Sequence, residues 1–198
     1  MTPVDRWALE RMGIPPRLWG VTYGVMPAPL HAPVRRYVAG IEKFLSQGSG
    51  FYIHGPAGVG KTSAAVVLLK AAWEQGHVGY YTTVKDLRQA VKDDTEFDGS
   101  ESVYARCKSV DLLVLDDLAQ DDFRPFTLGL GEIEHLVGTR AARGKTTILP
   151  TRLAPSAFLP DYGSFLSTLD GNFIAVSLEK SPNMKTAQGR FLSQELGV

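Results

Sequence analysis

The sequence predicts an α/β fold in which a parallel β-sheet is flanked by helices. Three observations lead there. From Phe51 onward, short β-prone runs alternate with helix-prone runs, the pattern of strands joined by crossover helices. The run Leu112-Leu113-Val114-Leu115 is apolar throughout, as a strand covered on both faces must be. Finally, Gly55-Pro56-Ala57-Gly58-Val59-Gly60-Lys61-Thr62 fits G-x-x-x-x-G-K-[ST] between a strand-like and a helix-like segment, the context that this phosphate-binding loop requires.

Taken in order, residues 1–48 read as an arm and lead-in helix, and residues 49–198 as the α/β core with a short closing helix. In the arm, Pro15, Pro16, Pro27, Pro29 and Pro33 interrupt any long helix. A short helix is expected over 3–12, then an extended segment, then a helix over 33–47. The first strand is Phe51-Tyr52-Ile53-His54, and residues 63–73, rich in Ala and Leu, form the helix after the loop. A strand is expected at 78–82. Val84, Leu87 and Val91 share helical spacing across 84–92. Residues 93–100 read as an acidic loop and 101–108 as a short helix before the apolar strand. Leu130, Ile133 and Val137 mark one face of a helix over 127–142. Strands at 146–149 and 172–178 and a closing helix over 183–196 complete the pattern.

Composition bounds the function. The 198 residues suffice for one domain with a sizeable core, and 44% are hydrophobic. The formal net charge is zero, so no global field demands nucleic acid as a partner. Cys107 is the only cysteine, which excludes a disulfide framework and a cysteine-based zinc site. No apolar run approaches membrane-spanning length and no signal-peptide core opens the chain, so no membrane role and a cytoplasmic location are expected.

The loop motif carries the chemistry. Its glycines let the backbone N–H groups of residues 55–62 converge on phosphate oxygens, and the helix that begins there adds its positive end. Gly55, Pro56, Ala57, Gly58, Val59, Gly60, Lys61, Thr62 and Ser63 are therefore the candidate nucleotide contacts. Lys61 would reach the β- and γ-phosphates, and the Thr62 hydroxyl would ligate Mg²⁺. The apolar strand ends in Asp116-Asp117, a Walker B element at the sheet edge where open α/β folds bind ligands. Asp116 would hold Mg²⁺. Asp117, pointing the other way along the strand, would polarise the attacking water. Thr151, after the strand at 146–149, would bridge that water and the γ-phosphate. Cys107, on a polar helix, reads as a packed small residue, and His54 as a structural one.

At this point the order of motifs resembles the DnaC/IstB-type AAA+ ATPases. The resemblance rests on Gly13-Ile14-Pro15-Pro16-Arg17, on Tyr81-Thr82-Thr83-Val84-Lys85-Asp86-Leu87, on the Asp-Asp-Leu end of the Walker B strand, and on the strand at 146–153. It implies an ATP-binding AAA+ core with a reduced or absent helical lid. It also implies Mg²⁺-dependent ATP hydrolysis at the interfaces of a homo-oligomer, and loading of a DnaB-type replicative helicase onto single-stranded DNA. The IstB branch implies a transposase partner instead. A nucleotide-gated adaptor with little turnover is a third reading. Thr83, Lys85 and Arg88 fall where this family contacts single-stranded DNA, and Lys85, Arg88 and Lys92 share one helix face. Lys185 falls near the family's sensor 2 arginine. The family's arginine finger has no counterpart, because 163–170 holds no basic residue, and Arg140, Arg143 and Arg152 are the candidate substitutes.

Overall fold

The computed structural model describes residues 4–26, 28–93, 102–118, 130–154 and 171–182. Five strands, β1 (Gly50–His54), β2 (Gly79–Thr83), β3 (Leu112–Asp116), β4 (Thr146–Thr151) and β5 (Phe173–Ser177), form one sheet in the order β2-β3-β4-β1-β5, and every pairing is parallel. The expected α/β architecture is therefore the one found. Because the strands run in one direction, His54, Thr83, Asp116 and Thr151 all finish at the same edge of the sheet.

Alternation along the strands builds two cores. Phe51, Ile53, Leu112, Val114 and Ile148 belong to a cluster with α4 (Lys61–Glu74) and the arm, whereas Tyr52, Leu113, Leu115 and Leu149 belong to a cluster on the other face. That second cluster includes residues of α5 (Val84–Asp93), α6 (Val103–Ser109) and α7 (Leu130–Ala142). The helix after the loop is buried nearly all round, from Ala64 to Ala72. Its low amphipathicity reflects this: the sheet covers one side and the arm the other.

The arm is part of the core. Its first helix, α1 (Arg6–Arg11), is capped by Asp5, whose carboxylate accepts from the Ala8 N–H at 2.7 Å. Leu9 and Met12 are buried, and the Met12 carbonyl accepts the Tyr81 N–H at 2.7 Å, so the arm covers part of the open side of edge strand β2. The lead-in helix differs from the single helix expected over 33–47. It is two helices, α2 (Ala28–Ala39) and α3 (Ile41–Ser46), divided at Gly40. Leu30, Val34 and Tyr37 are fully buried at helical spacing, and this burial carries α2 through Pro33 despite the hydrogen bond that a proline cannot make.

Arg140, in the last turn of α7, is fully buried. Its guanidinium donates to the Thr147 hydroxyl at 3.0 Å and to the carbonyls of Cys107 (2.6 Å), Val110 (2.9 Å), Asp111 (3.4 Å) and Thr146 (2.5 Å). It knots α6, the turn into β3, and β4. This removes Arg140 from the candidates for a missing arginine finger: every donor is committed inside the fold. Arg143 is exposed three residues further on.

Cys107 is fully buried beside this knot, and burial pushes its thiol up to about 12, against the nearby charges of Arg140 and Arg106. The folded chain thus holds this proton more tightly than the unfolded chain does. The associated stability is complete below the ordinary thiol range and fades as pH rises toward about 12. Native protein at pH 8 is expected to leave Cys107 unmodified by a disulfide reagent over minutes, with full reaction in denaturant. Prompt modification of native protein would contradict this packing.

The acidic loop at 94–100, the first residues of the helix expected over 127–142, the segment at 163–170, the closing helix at 183–196 and the reduced lid lie outside the described residues. Among the described residues no helix is long and apolar enough to cross a membrane.

Candidate nucleotide site

The strand β1 delivers the chain into the loop at Gly55. There φ is +147°, and an added Cβ would lie 2.9 Å from the Leu178 carbonyl carbon, so only glycine fits against the end of β5. At the other end Gly60 caps α4 with φ +89° and offers no side chain to the first-turn N–H groups, which leaves them available to an anion. Lys61 folds back over this concavity. Its ammonium donates to the carbonyls of Gly55 (2.8 Å) and Pro56 (2.7 Å). Burial holds its pKa below the ordinary lysine range, and the Arg152 charge acts in the same direction.

Parity along β3 puts Asp116 on the same sheet face as Leu112 and Val114, toward α4. One of its carboxylate oxygens accepts the Thr62 hydroxyl at 2.9 Å and the Tyr81 hydroxyl at 2.8 Å, and the other accepts the Asp117 N–H at 2.8 Å. The residue is buried, and burial lifts its carboxyl above the usual carboxylate range in spite of these bonds. Among the described residues no cation forms an ion pair with it. A buried carboxylate oxygen 2.9 Å from a threonine hydroxyl is the hard-oxygen donor set that suits Mg²⁺ shared with phosphates. Thr62 and Asp116 are the residues that would hold it.

Asp117 leaves the sheet differently from the expected strand alternation. The strand ends at Asp116, and Asp117 turns with φ +59°, the only positive φ at a non-glycine residue among those described. That turn carries its carboxylate to the exposed rim of the cavity. Aspartate tolerates this conformation better than most residues.

Thr151 is buried, and its hydroxyl donates to the Leu118 carbonyl at 2.7 Å and accepts the Leu153 N–H at 3.0 Å. These bonds tie the exit of β3 to β4 across the Leu118–Thr151 bridge, and Thr151 also lines the cavity described below. Thr83 lies at the end of β2 and lines the same cavity. It caps α5, accepting the Asp86 N–H at 3.0 Å and donating to the Asp86 carboxylate at 2.7 Å. Lys85 is exposed on α5 and Arg88 half-buried. Lys185 lies outside the described residues.

A cavity of about 620 Å³ joins these groups. Gly58, Gly60, Lys61, Thr62, Asp116 and Asp117 line it together with Thr151, Arg152 and Arg17. Among the members that sequence reasoning missed are Tyr81 and Arg17. The Tyr81 hydroxyl on Asp116 has no sequence signature. Arg17 lies 44 positions before Lys61, and only the fold brings the two together.

Comparison with known proteins agrees with this geometry. A family described as IstB-like ATP binding protein matches residues 36–142, which hold both the loop and the Asp116-Asp117 pair. An insertion-sequence ATP-binding protein of Mycobacterium tuberculosis is 29% identical over 124 residues, covering 62% of this chain and 47% of that protein. One from Sinorhizobium fredii is 32% identical over 113 residues, covering 56% of this chain and 38% of that protein. The chain thus matches less than half the length of these curated relatives. In three dimensions it resembles a crystal structure of the DnaC helicase loader, with a TM-score of 0.67 at 22% identity, over 83% of this chain and all of that one. The family match over residues 36–142 shows that this chain belongs to the IstB-like ATP binding protein family, and the parallel sheet and the phosphate loop agree with it.

Proposed function

We propose that this chain is a Mg²⁺-dependent AAA+ ATPase that uses the bound nucleotide to prepare DNA for a partner enzyme. The observation that carries the reading is the Thr62–Asp116 hydrogen bond at the head of the cavity. It brings the last residue of the loop motif and the buried Walker B acid onto one point, 54 residues apart in sequence. In this reading Lys61 turns from the Gly55 and Pro56 carbonyls to the phosphates, Thr62 and Asp116 hold Mg²⁺, and Asp117 orients the attacking water. Lys185 adds a cation near the phosphates. Residues 1–48 form an arm and 49–198 the nucleotide core. The active form is a homo-oligomer, with hydrolysis completed at subunit contacts.

The partner favoured here is a transposase, because both curated relatives described above are insertion-sequence proteins. The second reading is a helicase loader for a DnaB-type helicase on single-stranded DNA, supported by the likeness to DnaC. DNA binding with a non-hydrolysable ATP analogue separates them. The transposase reading expects duplex DNA to be bound in preference to single strands, with the analogue required. Preference for single strands, lost on substitution of Lys85, would support the helicase-loader reading. No analogue dependence on either DNA would contradict both.

A further inference from the structure

The arm reaches into the phosphate cavity. Arg17 lies in the single-turn 3-10 helix Pro16–Leu18 and lines the same cavity as Thr62, Tyr81, Asp116 and Asp117. Its backbone is held on both sides. The Met12 carbonyl is pinned to the Tyr81 N–H of β2. Beyond Arg17, the Trp19 indole N–H donates to the Ile14 carbonyl at 2.7 Å. The buried ammonium of Lys70, on α4, donates to the carbonyls of Trp19 (2.7 Å) and Val21 (2.8 Å).

The Arg17 side chain is held by nothing comparable. It is exposed, and among the described residues it makes no hydrogen bond or ion pair. Other arginines nearby are engaged: Arg6 with Glu10 at 2.8 Å, Arg11 over the Trp7 ring and Arg106 over the Tyr80 ring. A rigid seat carrying a guanidinium with no partner among the described residues is what a ligand-binding arginine requires, since the fork reaches a phosphate at little ordering cost.

Its position in the cavity also selects a ligand. The Tyr81 hydroxyl donates a hydrogen bond to Asp116, and Arg17 lines the same cavity as both. Arg152 lines this cavity as well. From 153 to 179 the chain holds no lysine or arginine, so that stretch supplies no cation to the outermost phosphate.

We propose that Arg17 is a γ-phosphate ligand that the arm supplies in cis, so that the arm distinguishes a nucleoside triphosphate from a diphosphate. The inference rests on the nucleotide reading above and deepens it. Arginines that meet a transferring phosphoryl group act from the same chain in some NTPases and from a partner in others. Here the same-chain arginine is carried by a segment pinned to α4 and β2, and occupancy by a triphosphate would stiffen that segment.

The test is equilibrium binding of Mg-ADP and of Mg-adenylyl imidodiphosphate to the wild-type chain and to Arg17→Ala, Arg17→Lys and Lys61→Ala, with tryptophan emission recorded alongside. Trp7 and Trp19 lie in the arm, and Trp7 packs edge-on against Trp73 of α4, so emission reports the arm. Arg17→Ala is expected to weaken the triphosphate analogue by roughly tenfold while leaving ADP within about twofold. It should also abolish the emission change specific to the analogue, and Arg17→Lys should restore part of both. An equal loss for both nucleotides, or no loss, would overturn the proposal. Lys61→Ala separates the failures. If it removes both nucleotides while Arg17→Ala keeps both, only the role of Arg17 falls. If the wild-type chain binds neither nucleotide, the nucleotide reading falls and this inference with it.

Discussion

Replacing Arg140 by methionine is expected to lower the unfolding free energy by about 3–5 kcal/mol, the cost of breaking one side of a buried charged network. Methionine fills most of the volume but donates nothing, and four backbone carbonyls and a hydroxyl lose their common donor. Burial lowers the Arg140 pKa to about 10, against the nearby Cys107 and Asp111, so the guanidinium is still charged at neutral pH and its hydrogen bonds are charge-assisted. The knot ties three segments that supply β3 and β4, so the loss should reach the Walker B end of the sheet. Urea unfolding checks it: the midpoint should fall with an unchanged slope. The exposed Arg143→Met should stay within about 0.5 kcal/mol of wild type. A loss below about 1 kcal/mol for Arg140→Met would mean that these carbonyls find water or other donors.

Asp117→Asn is expected to reduce ATP turnover by about 10²–10⁴, the range for losing a positioned general base. Nucleotide binding should change little, because Asp117 contributes only its N–H to Asp116 and asparagine keeps that group. Asparagine also tolerates the positive φ at this position, so the change tests charge rather than backbone strain. Phosphate release and nucleotide binding measured on the same preparation separate the two effects. Loss of binding in step with turnover would place Asp117 in the binding machinery instead.

The parts of the fold that were legible in the sequence are those specified locally. Strand, glycine turn and helix follow one another within residues 50–74, and the loop motif names its own ligand. The apolar run of β3 announced a central strand, and its parity put Asp116 on the α4 face. Boundaries were less legible where tertiary burial overrides local preference. Pro33 argued for a helix start and proved to be inside α2, because Leu30, Val34 and Tyr37 bury the face on either side of it. The least legible residues act across long separations. A lone arginine near a helix C-terminus reads as a favourable surface charge, yet the acceptors of Arg140 come from residues 107–111 and 146–147 and converge only in three dimensions. Arg17 and Tyr81 likewise join the site through the path of the arm and the end of β2.

The most direct test of the account is steady-state phosphate release from Mg-ATP as a function of protein concentration, with and without DNA, beside Asp117→Asn. The account predicts turnover per chain that rises with concentration and with DNA and falls to background in the variant. A rate that stays at background in the wild-type chain under all these conditions, with ATP demonstrably bound, would contradict it.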